Sequence, residues 1–383
     1  MRFPEFTEPW ETAKLGAIAE FSKGTGISKE QRSETGLPCI LYGELYTTYT
    51  NEVIEDVVSK TDLDPTDLVK SQKNDVIIPS SGETAEDIAT ARCVTSDNVL
   101  LGGDLNIIRL VEPNDGRFMS YQLNGIRKYD IAKIAQGVSV VHLYGGDLKM
   151  LSVTFPQSPE QKKIADCISL LDRRISVQIG LIEDLQKLKA ALVERLFCNK
   201  QSWKQYKYRD LLSPISERNS ENQFSNVLSA SQELGMVNRT DLDIDIKFER
   251  SAVTTYKIVR DGDYVLHLRS FQGGLAFSSM TGICSPAYTI LRPVKELEYG
   301  FFQEYFMSRS FINSLRLVTY GIRDGRSINV DEFLDMPVEI PDSATQCRII
   351  SILSIMNRRL RLAIKQNENF IKQKQYLLQQ LFI

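Results

Sequence analysis

The sequence has only 2 histidines and 2 tryptophans in 383 residues, and its 6 cysteines are scattered without a Cys-x-x-Cys pair. A structural zinc site is therefore not expected, and a reducing cytoplasm is the predicted compartment. No apolar run reaches the roughly 18 residues that a membrane-spanning helix needs. Met1 leads straight into a polar, acidic segment, so secretion is not expected either.

Motifs for nucleotide chemistry are also missing. The sequence has no Gly-x-x-x-x-Gly-Lys-Ser/Thr loop for ATP, no Asn-Pro-Pro-Tyr-like or Gly-rich motif for S-adenosylmethionine, and no carboxylates paired with a lysine in a nuclease pattern. Gly24-Thr25-Gly26 lacks the spacing and the strand-to-helix context of a nucleotide fingerprint. The chain is therefore not expected to act as a motor, a methyltransferase or a nuclease by itself, and no catalytic residue, metal or cofactor is predicted for it.

Only the C-terminal segment has a large excess of basic over acidic side chains. The net charge is -3, and residues 1–157 carry 15 basic against 23 acidic side chains. Residues 343–383 carry 7 basic and 1 acidic side chain. Because phosphate attraction supplies much of the affinity for DNA, a DNA-binding role predicts that partners contribute cationic surface. The basic last segment is either a phosphate-facing element or the solvated face of a coiled coil.

An internal repeat organises the chain. Residues 155–197 and 340–382 superpose at a constant offset of 185 positions. The matched pairs are Phe155-Pro156 and Ile340-Pro341, Gln161 and Gln346, Arg173-Arg174 and Arg358-Arg359, Lys189 and Lys374, and Leu196-Phe197 and Leu381-Phe382. A weaker match joins Trp10 to Trp203. The protein is therefore predicted to be two copies of one unit, each a variable region followed by a long helix.

The repeated segments have the apolar spacing of long helices. Apolar residues recur at steps of three and four from Ile164 and from Ile349, with polar interruptions at Gln178, Lys189, Asn367 and Lys374. A helix of about 40 residues is ~60 Å long. We expect the two helices to pair with each other as an antiparallel coiled coil and to act as a spacer. The alternative is that each helix packs on its own domain.

The variable regions are predicted to be β-rich, with one shared order of elements. Strands are expected at residues 75–79 and 263–267 and at 105–109 and 287–291, each pair followed by a helix, at 118–129 and 299–311. The predicted fold class is α+β. The predicted domains are a first variable domain at 1–157, a helix at 158–197, a second variable domain at 198–342 and a helix at 343–383.

The whole sequence resembles the specificity subunits of Type I restriction-modification systems. The most specific segment runs from Phe155-Pro156-Gln157-Ser158-Pro159-Glu160-Gln161 to Leu171-Asp172-Arg173-Arg174-Ile175. Further segments are similar to target-recognition domains: Lys23-Gly24-Thr25-Gly26-Ile27-Ser28, Tyr42-Gly43-Glu44-Leu45-Tyr46, Pro79-Ser80-Ser81-Gly82-Glu83-Thr84, Arg269-Ser270-Phe271-Gln272-Gly273-Gly274 and Ser285-Pro286-Ala287-Tyr288. The second repeat departs from the usual Pro-x-x-Glu-Gln start, because it has Ala344-Thr345-Gln346.

The resemblance implies a non-catalytic subunit that recognises DNA. Two target-recognition domains, held apart by the paired helices, would each bind half of an asymmetric bipartite sequence in double-stranded DNA. Two methyltransferase subunits would dock on the helices with S-adenosylmethionine, and restriction subunits would add ATP- and Mg-dependent translocation and cleavage. The alternatives are a coiled-coil scaffold whose β-rich heads bind protein, and an orphan DNA reader without active partners.

Candidate DNA-binding residues follow from the family-like loops and from the groups that contact base edges. They are Lys23, Ser28, Lys29, Tyr42, Glu44, Tyr46, Ser80, Ser81 and Thr84 in the first domain, and His267, Arg269, Ser270, Gln272, Arg323 and Arg326 in the second. For each side chain alone, a solvated loop or turn residue is the simpler interpretation. Arg269 with Gln272 is the best candidate pair, and His142 is interpreted as structural.

Overall fold

The computed structural model describes residues 2–137, 140–198, 202–231, 234–241, 250–267, 269–294, 296–320 and 327–382. The chain divides into two compact units, which are residues 1–180 with 365–383, and residues 181–364. Each unit contains one β-rich domain, the first part of the long helix that leaves this domain, and the last part of the other long helix. The α+β class predicted from the sequence is confirmed.

The first unit is built from mainly antiparallel strands and short helices. Its strands are β1 (Glu11–Lys14), β2 (Ala19–Lys23), β3 (Leu37–Ile40), β4 (Val53–Ile54), β5 (Ser59–Thr61), β6 (Val76–Pro79), β7 (Ser81–Gly82), β8 (Arg92–Val94), β9 (Leu100–Leu101), β10 (Leu105–Leu110), β11 (Val141–His142) and β12 (Ser152–Phe155). Its short helices are α1 (Leu15–Ile18), α2 (Glu44–Thr47), α3 (Ala85–Ile88), α4 (Gly116–Asn124), α5 (Lys128–Ile134) and α6 (Gly145–Lys149). The main sheet has the order β2-β10-β6-β8-β4, and a second sheet has the order β5-β3-β9.

The first long helix, α7, spans Ser158–Cys198. The strands of the second unit are β13 (Lys204–Lys207), β14 (Leu212–Ile215), β15 (Leu228–Ser231), β16 (Gly235–Asn238), β17 (Lys257–Val259), β18 (Tyr264–Leu266), β19 (Ala276–Phe277), β20 (Gly282–Cys284), β21 (Thr289–Pro293), β22 (Thr319–Tyr320), β23 (Ser327–Ile328) and β24 (Pro337–Ile340). Its helices are α8 (Tyr208–Leu211), α9 (Ser270–Gly273), α10 (Arg309–Ser314) and α11 (Val330–Asp335), and the second long helix, α12, spans Ser343–Gln380. The main sheet of this unit has the order β14-β21-β18-β19.

In each domain the first strand pairs with the last strand. β1 pairs antiparallel with β12, with Glu11 opposite Phe155, and β13 pairs with β24, with Lys204 opposite Ile340. In each copy the strand that enters the domain therefore lies beside the strand that leaves it. The exit strand then runs directly into a long helix, which places the domain at the start of that helix.

A buried aspartate anchors the central strands in both domains. The carboxylate of Asp75 accepts two hydrogen bonds from Arg109, at 2.9 and 2.8 Å, and Asp263 accepts two from Arg292, at 2.8 and 2.9 Å. Each aspartate lies at the start of its strand, and each arginine is on the antiparallel neighbour. The bidentate geometry fixes the register of the strand pair. The predicted strand positions are confirmed here, although β21 begins two residues later than predicted.

The repeated glutamines tie each long helix to its domain. The side-chain oxygen of Gln161 accepts from the Asp115 backbone N–H at 2.9 Å, and its amide donates to the carbonyl of Pro156 at 2.8 Å. Gln346 accepts from the Glu298 N–H at 2.9 Å and donates to the Pro341 carbonyl at 3.0 Å. Both side chains are buried, so each satisfies backbone groups that water cannot reach.

The ends of the long helices are held by matched aromatic contacts. In the first unit, the rings of Phe118 and Phe382 lie 5.0 Å apart between centroids. In the second unit, the rings of Phe301 and Phe197 lie 5.3 Å apart. Phe197 and Phe382 are equivalent in the sequence repeat, so Phe118 and Phe301 occupy equivalent positions in the two domains.

The apolar seam predicted along the helices is buried most completely near the start of each helix. Ile164 and Ile168 belong to the core of the first unit, together with Leu381 from the end of the other helix. In the second unit, Ile349 and Leu353 share a core with residues from the end of α7. Since the start of one helix packs with the end of the other within each unit, the antiparallel pairing is confirmed. Within the described ranges, no helix is both long and apolar enough to cross a membrane.

Two helix predictions in the variable domains are inaccurate. The helix predicted over residues 118–129 is two helices, α4 and α5, separated at Gly125. The helix predicted over residues 299–311 is wrong for most of its length. Gly300 has a φ of +77°, which an α-helix does not accept, and Ser308 caps a new helix by accepting from the Phe311 N–H at 3.2 Å.

Candidate nucleic-acid interface

The first candidate loop follows β2 and depends on a close backbone approach. The N–H of Gly24 donates to the Leu105 carbonyl at 3.0 Å, and a methyl group on Gly24 would lie 2.0 Å from the carbonyl oxygen of Gly102. Glycine is therefore required there. Ser28 then begins a short 3-10 turn, and its N–H donates to the Gln31 side chain at 2.8 Å. The side chains of Lys23, Ser28 and Lys29 are exposed.

Glu44 in the second candidate loop is already engaged within the protein. Its carboxylate accepts from the Leu41 N–H at 2.9 Å, pairs with Arg32 at 3.4 Å and contacts the Ser59 hydroxyl. Because Arg32 follows the first loop, this carboxylate holds the first two loops together. As a buried residue, Glu44 fits a supporting role better than a contact with a base.

Tyr42 and Tyr46 flank this carboxylate and are half-buried. Burial raises the pKa of Tyr46, and the nearby Tyr42, Asp87 and Glu83 raise it further. Since Glu83 belongs to the third candidate loop and Asp87 to α3 directly after it, Tyr46 lies beside that loop. The neutral phenol can donate and accept hydrogen bonds.

The third candidate loop is fixed by backbone pairing. The N–H of Ser80 donates to the Asp104 carbonyl at 2.7 Å, and the Ser80 carbonyl accepts from Leu143 at 3.0 Å. Thr84 caps α3, because its hydroxyl accepts from the Asp87 N–H at 3.1 Å. Ser80 and Ser81 are buried and Thr84 is exposed.

His142, which is predicted to be structural, and Tyr144 are exposed beside the third loop. His142 lies opposite Ser81 in the pairing of β11 with β7, and its ring stacks on Tyr144 at 6.2 Å. The sequence signal for this exposure is the alternation of His142 and Tyr144 with the apolar residues Val141 and Leu143, which the structure buries.

Acidic groups surround the loops of the first domain. Glu30, Glu83 and Glu86 are exposed next to the candidate residues. The cations of this loop group are Lys23, Lys29 and Arg32. The mixture gives no strong attraction for phosphate, in agreement with the excess of acidic side chains counted over this domain.

In the second domain, four candidate residues form one short turn around α9. The His267 N–H donates to the Ser270 hydroxyl at 2.8 Å, and the Arg269 N–H donates to His267 Nδ1 at 3.3 Å. The Gln272 N–H donates to the Arg269 carbonyl at 2.9 Å. His267 and Ser270 are buried and build the turn, whereas Arg269 and Gln272 are exposed. The turn thus presents the predicted pair to solvent.

The turn contains a neutral histidine. Burial lowers the pKa of His267 to about 4; a hydrogen bond with the Gly274 backbone opposes this shift, and the Arg269 charge adds to it. At neutral pH the ring carries no charge, so Arg269 supplies the positive charge of this turn.

Gly274 ends the turn at a φ of +77°. A methyl group there would lie 1.8 Å from the carbonyl oxygen of Phe306. The backbone of the turn therefore packs closely on Phe306 in the core of the second domain. This close contact fixes the direction in which the turn faces. Arg323 and Arg326 lie outside the described residues. Within the described ranges, no group of three or more His, Cys, Asp or Glu side chains is arranged to hold a metal ion.

Residues 7–187 match the family model described as "Type I restriction modification DNA specificity domain". This part of the chain is similar to that family. The specificity domain covers the first β-rich domain and most of α7, and the resemblance inferred from the sequence is confirmed. No curated protein matches the chain.

Two solved structures with TM-scores above 0.5 share the fold over 98% or more of the chain. The S subunit of a Type I restriction-modification system from M. genitalium is 16% identical, with a TM-score of 0.60 over 100% of this chain and 99% of that one. A chain from a structure that describes complex assembly and conformational transition of the Type I R-M system is 14% identical, with a TM-score of 0.58 over 98% of each chain. The HsdS subunit from Thermoanaerobacter tengcongensis is 14% identical, with a TM-score of 0.49 over 100% of this chain and 98% of that one.

Proposed function

We propose that the chain is the DNA-specificity subunit of a Type I restriction-modification complex. Residues 1–157 and 198–342 each recognise one half of an asymmetric bipartite sequence in double-stranded DNA. The helices at 158–197 and 343–383 set the spacing between the halves and dock methyltransferase subunits. The chain itself is non-catalytic and acts in the cytoplasm. S-adenosylmethionine, ATP and Mg bind to the methyltransferase and restriction subunits.

The observation that carries this proposal is the repeat of one scaffold under two different loop groups. The Asp75–Arg109 and Asp263–Arg292 pairs recur with the same geometry, whereas the loops beside them share no residue pattern. A constant scaffold with variable loops suits two targets of different sequence. Base edges are recognised by side chains in such loops, and phosphate contacts set the position.

Matched exposed apolar residues support two equal docking surfaces. Leu170 and Val177 are exposed on the first-unit part of α7, and Ile355 and Leu362 are exposed at equivalent positions of α12 in the second unit. The seven-residue spacing puts each pair on one helix face. Val177 is 73% exposed and Leu362 58%, so both apolar side chains are open to contact with a partner subunit. One methyltransferase on each face gives a complex of one specificity subunit with two modifying subunits.

Titration with the cognate methyltransferase tests this arrangement. Native mass measurement should give two methyltransferases per wild-type chain. Val177→Asp and Leu362→Asp should each remove one of them, and the double variant should remove both. The control is Lys372→Glu, which changes an exposed charge on the same helix as Leu362. This variant should still bind two methyltransferases. A single methyltransferase at saturation would contradict two-site docking. Binding that ignores DNA sequence in the full complex would favour the interaction scaffold instead.

A further inference from the structure

A buried polar cluster joins the first domain to both helix segments of its unit. Lys374, on α12, pairs with Asp172 of α7 at 2.6 Å and with Glu52 of the domain. The hydroxyl of Tyr121 donates to Asp172 at 2.6 Å. Three elements therefore meet at one lysine, and the side chains involved are nearly buried. We call this set the first junction.

The second unit has a matching cluster, the second junction. Lys189, which is equivalent to Lys374, pairs with Glu304 of the domain at 2.6 Å. The amide of Asn357 donates to the other oxygen of Glu304 at 2.6 Å. Asn357 lies 185 positions after Asp172, so the repeat places an amide where the first junction has a carboxylate.

The domain residues at the two junctions are also equivalent. Tyr121 lies three residues after Phe118, and Glu304 lies three residues after Phe301, the phenylalanine at the matching aromatic contact. The direction of the hydrogen bond between domain and helix is therefore reversed. In the first junction the domain donates to a helix carboxylate, and in the second the helix donates to a domain carboxylate. The lysine and a domain carboxylate are present at both junctions, and the helix residue beside them is a carboxylate in the first and an amide in the second.

The charges explain why the helix residue differs. The first domain brings Glu52 to the junction and also the buried Arg92, whose pKa is lowered by burial and raised by the nearby Glu52 and Asp172. If Arg92 is counted, although its guanidinium donates to the carbonyls of Leu45 and Tyr49, the first junction contains two cations and two anions. The second junction contains Lys189 and Glu304, one of each sign. Both are neutral, as the cost of burying an unpaired charge requires.

We propose that the residue at position 172 or 357 is matched, in charge and in hydrogen-bond direction, to the domain beside it. The match makes this residue a determinant of which domain can occupy which position. Asp suits a domain that supplies a hydroxyl donor and an extra cation. Asn suits a domain whose own carboxylate accepts a hydrogen bond from the helix residue, as Glu304 does. The inference concerns the fold and does not depend on which DNA is bound.

A double-mutant cycle at the second junction tests the pairing with isosteric changes. Glu304→Gln leaves Lys189 facing two amides, and Asn357→Asp puts two carboxylates beside one lysine. We expect each single variant to lower the melting temperature by about 5 °C or more, since breaking a buried ion pair costs several kcal/mol. The double variant again has one carboxylate, now on the helix, and should return to within about 2 °C of wild type. Glu368→Gln, on an exposed part of the same helix, should change nothing.

The pH dependence separates charge from packing. In Asn357→Asp, the two carboxylates raise the folded-state pKa of one of them, so the deficit should be full at pH 8 and shrink as the pH falls towards 5. The charged groups recorded at this junction are Lys189 and Glu304. A steric defect would be independent of pH. Additive losses in the double variant, or a deficit that does not change with pH, would overturn the proposal.

A domain exchange tests the wider claim. In a chimaera with residues 11–155 in place of 204–340, the first domain lies against Lys189 and Asn357. Asn357→Asp should stabilise this chimaera, although it destabilises the wild-type chain. A change of the same sign in both backgrounds would show that the domain does not determine the helix residue. If the chimaera does not fold, the double-mutant cycle still decides the proposal.

Discussion

The two domains present their candidate residues in different ways on one scaffold. In the first, the candidates are spread over three loops that Glu44 and backbone pairing hold together. In the second, the four candidates that the structure describes lie on the single turn at α9, which lies against Phe306. The cores differ as well. In the second domain the rings of Tyr208 and Phe333 stack with their centroids 4.7 Å apart. The first domain has Leu15 at the position of Tyr208, the first residue of the short helix after the entering strand.

The difference shows which parts of the molecule carry the common function and which carry the specific one. The residues that recur with the same contacts are Gln161 and Gln346, the two Asp–Arg pairs, and the phenylalanines at the helix ends. The glutamines and phenylalanines hold each domain on the helices, and the Asp–Arg pairs fix the central strands within each domain. The candidate DNA-binding residues differ between the two loop groups, which is expected if each domain binds a different half-site.

The largest effect is expected from the glycines that fix the loops. Gly24→Ala and Gly274→Ala each place a methyl group against a carbonyl oxygen, so the loop must move or the domain must loosen. We expect each to cost more than about 3 kcal/mol in the free energy of unfolding of its own unit. Hydrogen exchange of the strand amides in each unit measures this loss.

Gly26→Ala is the matched control, because no atom lies within 4 Å of a methyl group there. It should change stability by less than about 1 kcal/mol. If Gly24→Ala is equally mild, the close approach to Gly102 does not fix the first loop.

Asp75→Ala and Asp263→Ala should each cost about 3 kcal/mol, because either change leaves an arginine and a backbone N–H without their acceptor. The loss should be confined to the unit that carries the change. The internal control is the other unit, whose backbone amides should be as protected from hydrogen exchange as they are in the wild type. Loss in both units together would contradict two scaffolds that fold on their own contacts.

Acidification should weaken the second domain more than the first. The folded-state pKa of His267 is lowered, so the unfolded state binds the proton more tightly, and stability is lost as the pH falls from about 6.5 towards 4. The expected loss is about 1–3 kcal/mol. His267→Gln should flatten this part of the pH profile of the second unit. An unchanged slope in that variant would dismiss His267 as the cause.

Arg269→Ala should affect DNA recognition more than folding, because the side chain is exposed. Loss of a bidentate contact with guanine costs about 1–3 kcal/mol of discrimination in one half-site. A phosphate contact would instead weaken binding to all sequences and lower the salt slope by about one. Methylation assays on variant sites distinguish the two roles, with Arg309→Ala as a cation control in the same domain. Unchanged methylation would exclude Arg269 from both.

The repeat, the long helices and the central strands could be predicted because their signals are local. The apolar spacing from Ile164 and the constant offset need no tertiary information. The functions of Gln161 and Gln346 could not be predicted, since their partners lie about 46 and 48 residues away in the chain. The helix predicted at 299–311 failed because consecutive aromatic residues serve a buried cluster there, after Gly300 breaks the helical backbone.

The candidate site was predictable as loops but not as a surface. The sequence singled out Arg269 and Gln272, which the structure exposes together on one turn. It could not show that Glu44 is held by Leu41 and Arg32, because such contacts depend on how the loops fold back. The burial of Ser80, Ser81 and Ser270 could not be predicted from the sequence either. These positions remain predictions for DNA contact.

The central claim is that each domain recognises its own half of the DNA site. The most direct test replaces residues 1–157 by the equivalent region of another specificity subunit, expresses the chain with its methyltransferase and maps methylation by sequencing. The account predicts a bipartite motif in which one half changes while the half recognised by residues 198–342 stays the same. A map in which both halves change together, or neither does, would contradict it.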